Sequence, residues 1–198
     1  MTTQLDGTAW ASALDEAIVA ATEAMAAADA VDWSRPAGDL GWDCRATVLH
    51  IASDFIGYAT QLTAPRAHGY AALDLVLEGT PNPAELRALV RATGGLLSSV
   101  ARTADAGTRS WHPYGVAGPC DFAAMGIVEL LVHTEDLSRG LGFAWAPAPD
   151  LSARVLAHLF PYAPRGHEPW PTLLWATGRA ALGERPRLPD WRWENTGG

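Results

Sequence analysis

The sequence predicts an all-α fold: a four-helix bundle over residues 1–145, with a short helical C-terminal extension, residues 146–198, packed on it. Three observations lead there. Four long segments carry apolar residues at three- and four-residue steps, the spacing that gives a helix one buried face. Asp, Asn, Pro and Gly stand where those segments begin and end. No set of short, alternating apolar runs suggests a sheet. The composition is globular: 48% of the 198 residues are apolar and only 18% charged, enough apolar surface for one full core.

The first helix spans Ala9 to Ala30, on the recurrence of Trp10, Leu14, Ile18, Ala21 and Met25. Val31 to Trp42 holds Pro36, Gly38 and Gly41 and is a loop whose Trp33 and Trp42 cover one end of the core. Asp43 caps a second helix, Cys44 to about Leu62, whose apolar surface is Val48, Leu49, Ile51, Phe55, Ile56 and Leu62. His50 falls within that surface, with Thr47, Asp54 and Gln61 on the same side. Thr63 to Asn82 is a mixed connection with a short helical possibility around Tyr70 to Leu77. Pro83 opens the third helix, through Leu86, Val90, Leu97 and Val100. Its Gly94-Gly95 pair either kinks it or admits a close neighbour.

Ala106 to Cys120 is a loop in which Trp111, His112 and Tyr114 either bind a ligand or form a packed lid. Asp121 caps the fourth helix, which Gly140 and Gly142 end. Pro147 and Pro149 then mark a break. Leu151 to Phe160 and Trp170 to Leu182 read as short helices, with Pro161 to Pro169 as a loop between them. The tail RPRLPDWRWEN reads as an extended segment laid over the core.

The fourth helix carries the chemistry. In GIVELLVHTEDLSRGLG, Glu129 and His133 lie one turn apart on one face, and the surrounding positions are aliphatic. A lone carboxylate in that setting costs several kcal/mol unless something compensates it. Two readings satisfy it: a buried Glu-His pair at a helix interface, or two ligands of a metal site. His50, by itself a core histidine, supplies a third ligand under the second reading. Three protein ligands leave a coordination position open, the arrangement of a working zinc. Asp54 with His50 could instead form part of a two-metal site, but the carboxylate set of di-iron bundles is missing.

The segments LGWDCRATVLHIASDFIGYATQL and GIVELLVHTEDLSRGLG resemble the DinB-like superfamily, and within it the mycothiol-dependent maleylpyruvate isomerase N-terminal domain family, over about Trp10 to Gly142. The resemblance implies a DinB-like four-helix bundle with a divalent metal, usually zinc, on His50, Glu129 and His133. Asp136 matches a recurrent acidic position, read here as helix-end hydrogen bonding rather than ligation. The isomerase carries an α/β domain behind its bundle. This chain has a helical pattern there instead, so substrate-binding residues do not transfer. Arg91, Arg109 and Arg139 are candidate anion contacts.

A divalent metal with two neutral imidazoles and one carboxylate leaves a site charge of +1, which favours a thiolate at the open position. The expected function is therefore a zinc-dependent transferase or isomerase that uses a thiol cofactor, mycothiol by resemblance, on a small electrophilic substrate. Two alternatives stand beside it: a metal-dependent hydrolase on the same triad, and a non-catalytic metal-binding or interaction protein. A second copy of the chain is a further candidate partner.

Composition excludes other classes. The net charge of −8 argues against a nucleic-acid partner. All fourteen basic residues are Arg, which removes Schiff-base and phosphate-loop lysine chemistry. MTTQLDGTAW has no apolar signal core, and no apolar run reaches the roughly 18 residues of a membrane span, so the expectation is a cytoplasmic protein. Cys44 and Cys120 are then free thiols. Cys44 stands near a helix start, where a thiol can become more acidic, but no histidine lies beside it in sequence.

Overall fold

The computed structural model describes residues 6–194. Residues 1–5, the start of MTTQLDGTAW, and 195–198, with Asn195 of the tail, lie outside the described residues. Four long helices form the body: α1 (Gly7–Met25), α2 (Cys44–Thr63), α3 (Pro83–Thr103) and α4 (Pro119–Leu141). Each of α1 and α2 lies against both α3 and α4, so the cyclic order is α1, α3, α2, α4. Two short helices follow, α5 (Pro149–Leu159) against α4 and α6 (Pro169–Ala176) against α5.

Local chemistry sets the boundaries. Asp6 and Asp43 accept from the backbone N–H groups of Ala9 and Ala46, at 2.9 and 2.7 Å, satisfying orphan donors at the starts of α1 and α2. Asn82 and Glu85 bond each other's backbone N–H in a reciprocal capping box, with Pro83 in the first turn. At α4 the N-cap is Gly118 rather than the expected Asp121. Proline at 119 already starts the helix, and Asp121, one turn in, accepts from Gly118 N–H at 2.8 Å.

The core runs along α4, of whose 23 residues 19 are buried. It is a central helix touched on nearly all sides, which explains an aliphatic sequence with no polar face. Gly94 serves approach: a β-carbon there would come within 2.5 Å of Ile18 Cδ1, so the glycine lets α1 close on α3. Trp33 is buried, its indole N–H donating to Ala28 O at 3.0 Å.

Four expectations need correction. The first helix ends at Met25 and continues only as a 3-10 turn, Ala26–Ala28. Tyr70 to Leu77 forms no helix: Tyr70 and Leu77 pack on the core but Leu73 and Val76 between them are exposed, so no continuous helical face is buried, and Gly69 and Gly79 flank it at positive φ. The loop before α4 contains an antiparallel hairpin, β1 (Ser110–His112) and β2 (Gly115–Ala117), too short to show a period. Finally, α6 stops at Ala176, because the chain turns at Gly178 (φ +68°).

The tail lies against α5 and the hairpin: Trp193 is buried beside His112 and Tyr114, Glu194 N–H donates to Leu159 O at 2.8 Å, and Tyr162 Oη–H donates to Arg192 O at 2.8 Å. Among the described residues no helix is long and apolar enough to cross a membrane.

Candidate metal centre

α2 and α4 bring His50, Glu129 and His133 together, one ligand atom from each lying within 4.8 Å of the others. Glu129 Oε2 is 3.3 Å from His133 Nε2 and 3.8 Å from His50 Nε2. Ligands held at about 2.0–2.1 Å around a tetrahedral ion stand roughly 3.3 Å apart, so Glu129 and His133 already sit at metal-ligand spacing and His50 stands somewhat farther out. Glu129 and His133 are buried and His50 is half-buried, so the cluster opens on the α2 side.

Electrostatics agrees with a pre-assembled anionic acceptor. Burial alone would raise the Glu129 pKa, but the close His133 ring and the charge of both His133 and His50 outweigh it and hold the carboxyl well below its usual range. Burial would likewise lower His133, yet its bonds to Asp136 and Glu129 raise it. A bound metal would replace the ring protons on Nε2 that these bonds use.

Asp136 does more than the expected helix-end bonding. His133 Nδ1–H donates to its Oδ2 at 2.9 Å, which fixes the ring and leaves Nε2 facing the cluster. Arg179 Nη2 donates to the same oxygen at 3.2 Å. Burial pushes the Asp136 carboxyl up, but the His133 bond and the Arg179 charge bring it below its usual value. Asp54, one turn after His50 on α2, has Oδ2 3.2 Å from His50 Nε2. It is not among the convergent ligands. Burial and the nearby Glu129 charge, only partly offset by His50, push its pKa up to about 8.

The cluster opens into a cleft of roughly 700 Å³. Trp42, which the sequence placed over the core, is 43% exposed and stands over the site: its ring stacks on His133 with centroids 6.2 Å apart and meets His50 edge-on at 4.8 Å. Tyr114, Trp191 and Trp193 also line the cleft. The hairpin thus contributes Tyr114 to the cleft, while His112 is buried among Tyr58, Tyr70, Phe122 and Trp193. A smaller cavity of about 160 Å³ lies on the other side of Asp54, between α2 and residues 70–75.

Of the candidate anion contacts, Arg139 reaches the cleft, where its Nε donates to Glu135 at 2.9 Å. Arg91 donates to Thr22 and Arg109 to the carbonyls of its own loop; neither lines the cleft. The residue that sequence reasoning missed is Arg179. Its only signal is the Thr177-Gly178 stop after an apolar helix, which marks a turn but not what the next side chain reaches. Cys44 is buried, and desolvation together with the Asp43 charge lifts its thiol to about 11, so it is no nucleophile.

A family model described as the mycothiol maleylpyruvate isomerase N-terminal domain matches residues 5–138. Neither the curated proteins nor the solved structures contain a match.

Proposed function

We propose a function that starts from one premise: the chain belongs to the mycothiol maleylpyruvate isomerase N-terminal domain family. The reading is a divalent-metal enzyme, with zinc the metal its donors suit best, that uses a small thiol of the mycothiol kind as a transferase or isomerase on a small electrophile. The observation that carries it is the convergence of His50, Glu129 and His133 at the base of an open cleft.

Those three residues would hold the metal: two imidazole nitrogens and one carboxylate oxygen form a borderline-soft set, and a fourth position stays free. When bound, the metal supplies positive charge that stabilises a thiolate at neutral pH. The protein's part is arrangement. Asp136 holds the His133 ring with Nε2 forward. Trp42 covers the two histidines and limits water on that side. The cleft is large enough for a thiol cofactor together with a second small molecule, within the usual range of about 300–1,000 Å³ for ligand sites. The C-terminal extension belongs to this working unit, because Arg179, Trp191 and Trp193 line the cleft. The cellular setting of the reading is the cytoplasm.

Cobalt substitution tests the reading. Thiolate bound to Co(II) gives an intense charge-transfer band that water and carboxylate do not. Mycothiol, or a simple cysteinyl analogue, should produce the band in the wild-type protein and not in His133→Ala. An unchanged spectrum would reject thiol chemistry and leave a hydrolase or a non-catalytic metal protein.

A further inference from the structure

We propose that Arg179, from the segment beyond the family match, is a positioning residue for the metal site: through Asp136 it fixes the ring of His133. The inference rests on the metal reading above. The chain of contacts is continuous and buried. Asp136 and Arg179 have side chains only 3% and 9% exposed, and His133 4%. His133 Nδ1–H and Arg179 Nη2–H both donate to Asp136 Oδ2, at 2.9 and 3.2 Å. The carboxylate is therefore held from two sides, one of them the ligand ring and the other the C-terminal segment.

Arg179 is itself locked. Its Nη1 donates to Thr177 O at 2.8 Å, and its guanidinium carbon lies 5.4 Å from the centroid of the Trp191 ring. The turn that aims it depends on Gly178: φ is +68°, and a β-carbon there would sit 2.9 Å from both Leu188 O and Trp191 Cδ1. Arg179 N–H then closes on Leu174 O at 2.7 Å. A planar fork with two fixed partners constrains a carboxylate more tightly than a flexible ammonium does. Partners of this kind behind a metal-binding histidine typically change metal affinity by about 10- to 100-fold.

A competing effect makes the sign diagnostic. The guanidinium charge repels a cation, so if Arg179 acted only as a charge, removing it would tighten metal binding. If it acts by positioning, removing it weakens binding although a positive charge has been lost. Arg154 is the control: it lies on α5 of the same C-terminal segment and donates to Asp150 at 3.2 Å, touching neither Gly178 nor Asp136 and lining no part of the cleft.

The experiment is zinc affinity by chelator competition for the wild type and the variants His133→Ala, Arg179→Met, Arg179→Lys, Asp136→Asn and Arg154→Met. The expected result is binding about 10-fold or more weaker in Arg179→Met, a smaller loss in Arg179→Lys, and an unchanged value in Arg154→Met. The double variant Arg179→Met/Asp136→Asn should lose no more than Asp136→Asn alone, since both act on one ring. If Arg179→Met does not fold, Arg179→Lys and its combination with Asp136→Asn read the same coupling. Wild-type affinity or tighter binding in the Arg179 variants, with zinc lost in His133→Ala, would overturn the positioning role and leave the metal reading intact. Failure of the wild type to take zinc would overturn both.

Discussion

Two histidine–aspartate pairs stand near the two ends of α4, and they look alike at first contact. His133 meets Asp136 at 2.9 Å and His158 meets Asp121 at 2.8 Å, all four side chains being largely buried. Their surroundings differ. Asp121 also accepts from Gly118 N–H at the start of α4, and His158 packs against Trp10 of α1 with ring centroids 5.0 Å apart, so that pair pins α5 to the bundle. His133 turns its other nitrogen to Glu129, faces His50 across from α2, and opens on a cleft. A buried histidine–aspartate contact is a general way to satisfy two polar groups. Convergence with two further donors beside a cleft is what makes a candidate site.

The largest expected effect separates the pairs. His133→Ala should weaken zinc binding by more than the roughly 100-fold that loss of an outer partner reaches. His158→Ala should leave zinc affinity unchanged and instead lower stability by about 1–3 kcal/mol, the cost of under-satisfying a buried polar group. At about 2–4 °C per kcal/mol for a chain of this size, a melting curve resolves that loss. Equal effects of the two substitutions on zinc binding would erase the distinction.

A middle-sized effect concerns the wall behind the metal-facing pair. A β-carbon on Gly140 would lie 2.3 Å from Pro36 O and 3.0 Å from Cys44 Sγ. A carbonyl cannot swing away as a flexible side chain can, so Gly140→Ala must displace the loop that carries Trp42. Overpacking of this kind costs about 1–3 kcal/mol. The Gly140→Ala protein should melt lower and show a changed Trp42 fluorescence response to zinc. A variant with wild-type stability and response would contradict that packing.

The smallest expected effect belongs to a third buried histidine with a different satisfaction. His112 Nδ1 accepts from Tyr114 N–H at 3.1 Å inside an aromatic cluster. Burial, only partly offset by the Glu129 charge, pulls its pKa down to about 4 from 6.5. The unfolded chain therefore binds the proton first, so this group's stabilising contribution is complete above about pH 6.5 and is lost as pH falls through 4. His112→Phe should flatten the acid side of the stability curve over that window. An unaltered slope would assign it to other groups.

Much of this was legible in the sequence, for reasons that also mark its limit. The long helices show because a buried face repeats along each and Asp43, Asn82 and Pro83 punctuate them locally. Glu129 and His133 are legible for the same reason, being four residues apart on one helix, and His50 follows from the resemblance between motifs. Trp42 reads as a core residue from the sequence and is exposed over the site in the structure, because burial of a loop tryptophan cannot be read from its neighbours. The hairpin at Ser110–Ala117 is too short to show a period. Arg179 meets Asp136 across 43 positions, through a turn that only the packed tail defines.

The central claim is that the metal-facing pair, with Glu129 and His50, holds one divalent ion. Elemental analysis after zinc loading and desalting tests it most directly, in the wild type, His50→Ala and His133→Ala. The account predicts one zinc per chain in the wild type and loss of it in both variants. A wild-type chain without zinc, or full occupancy in both variants, would contradict it.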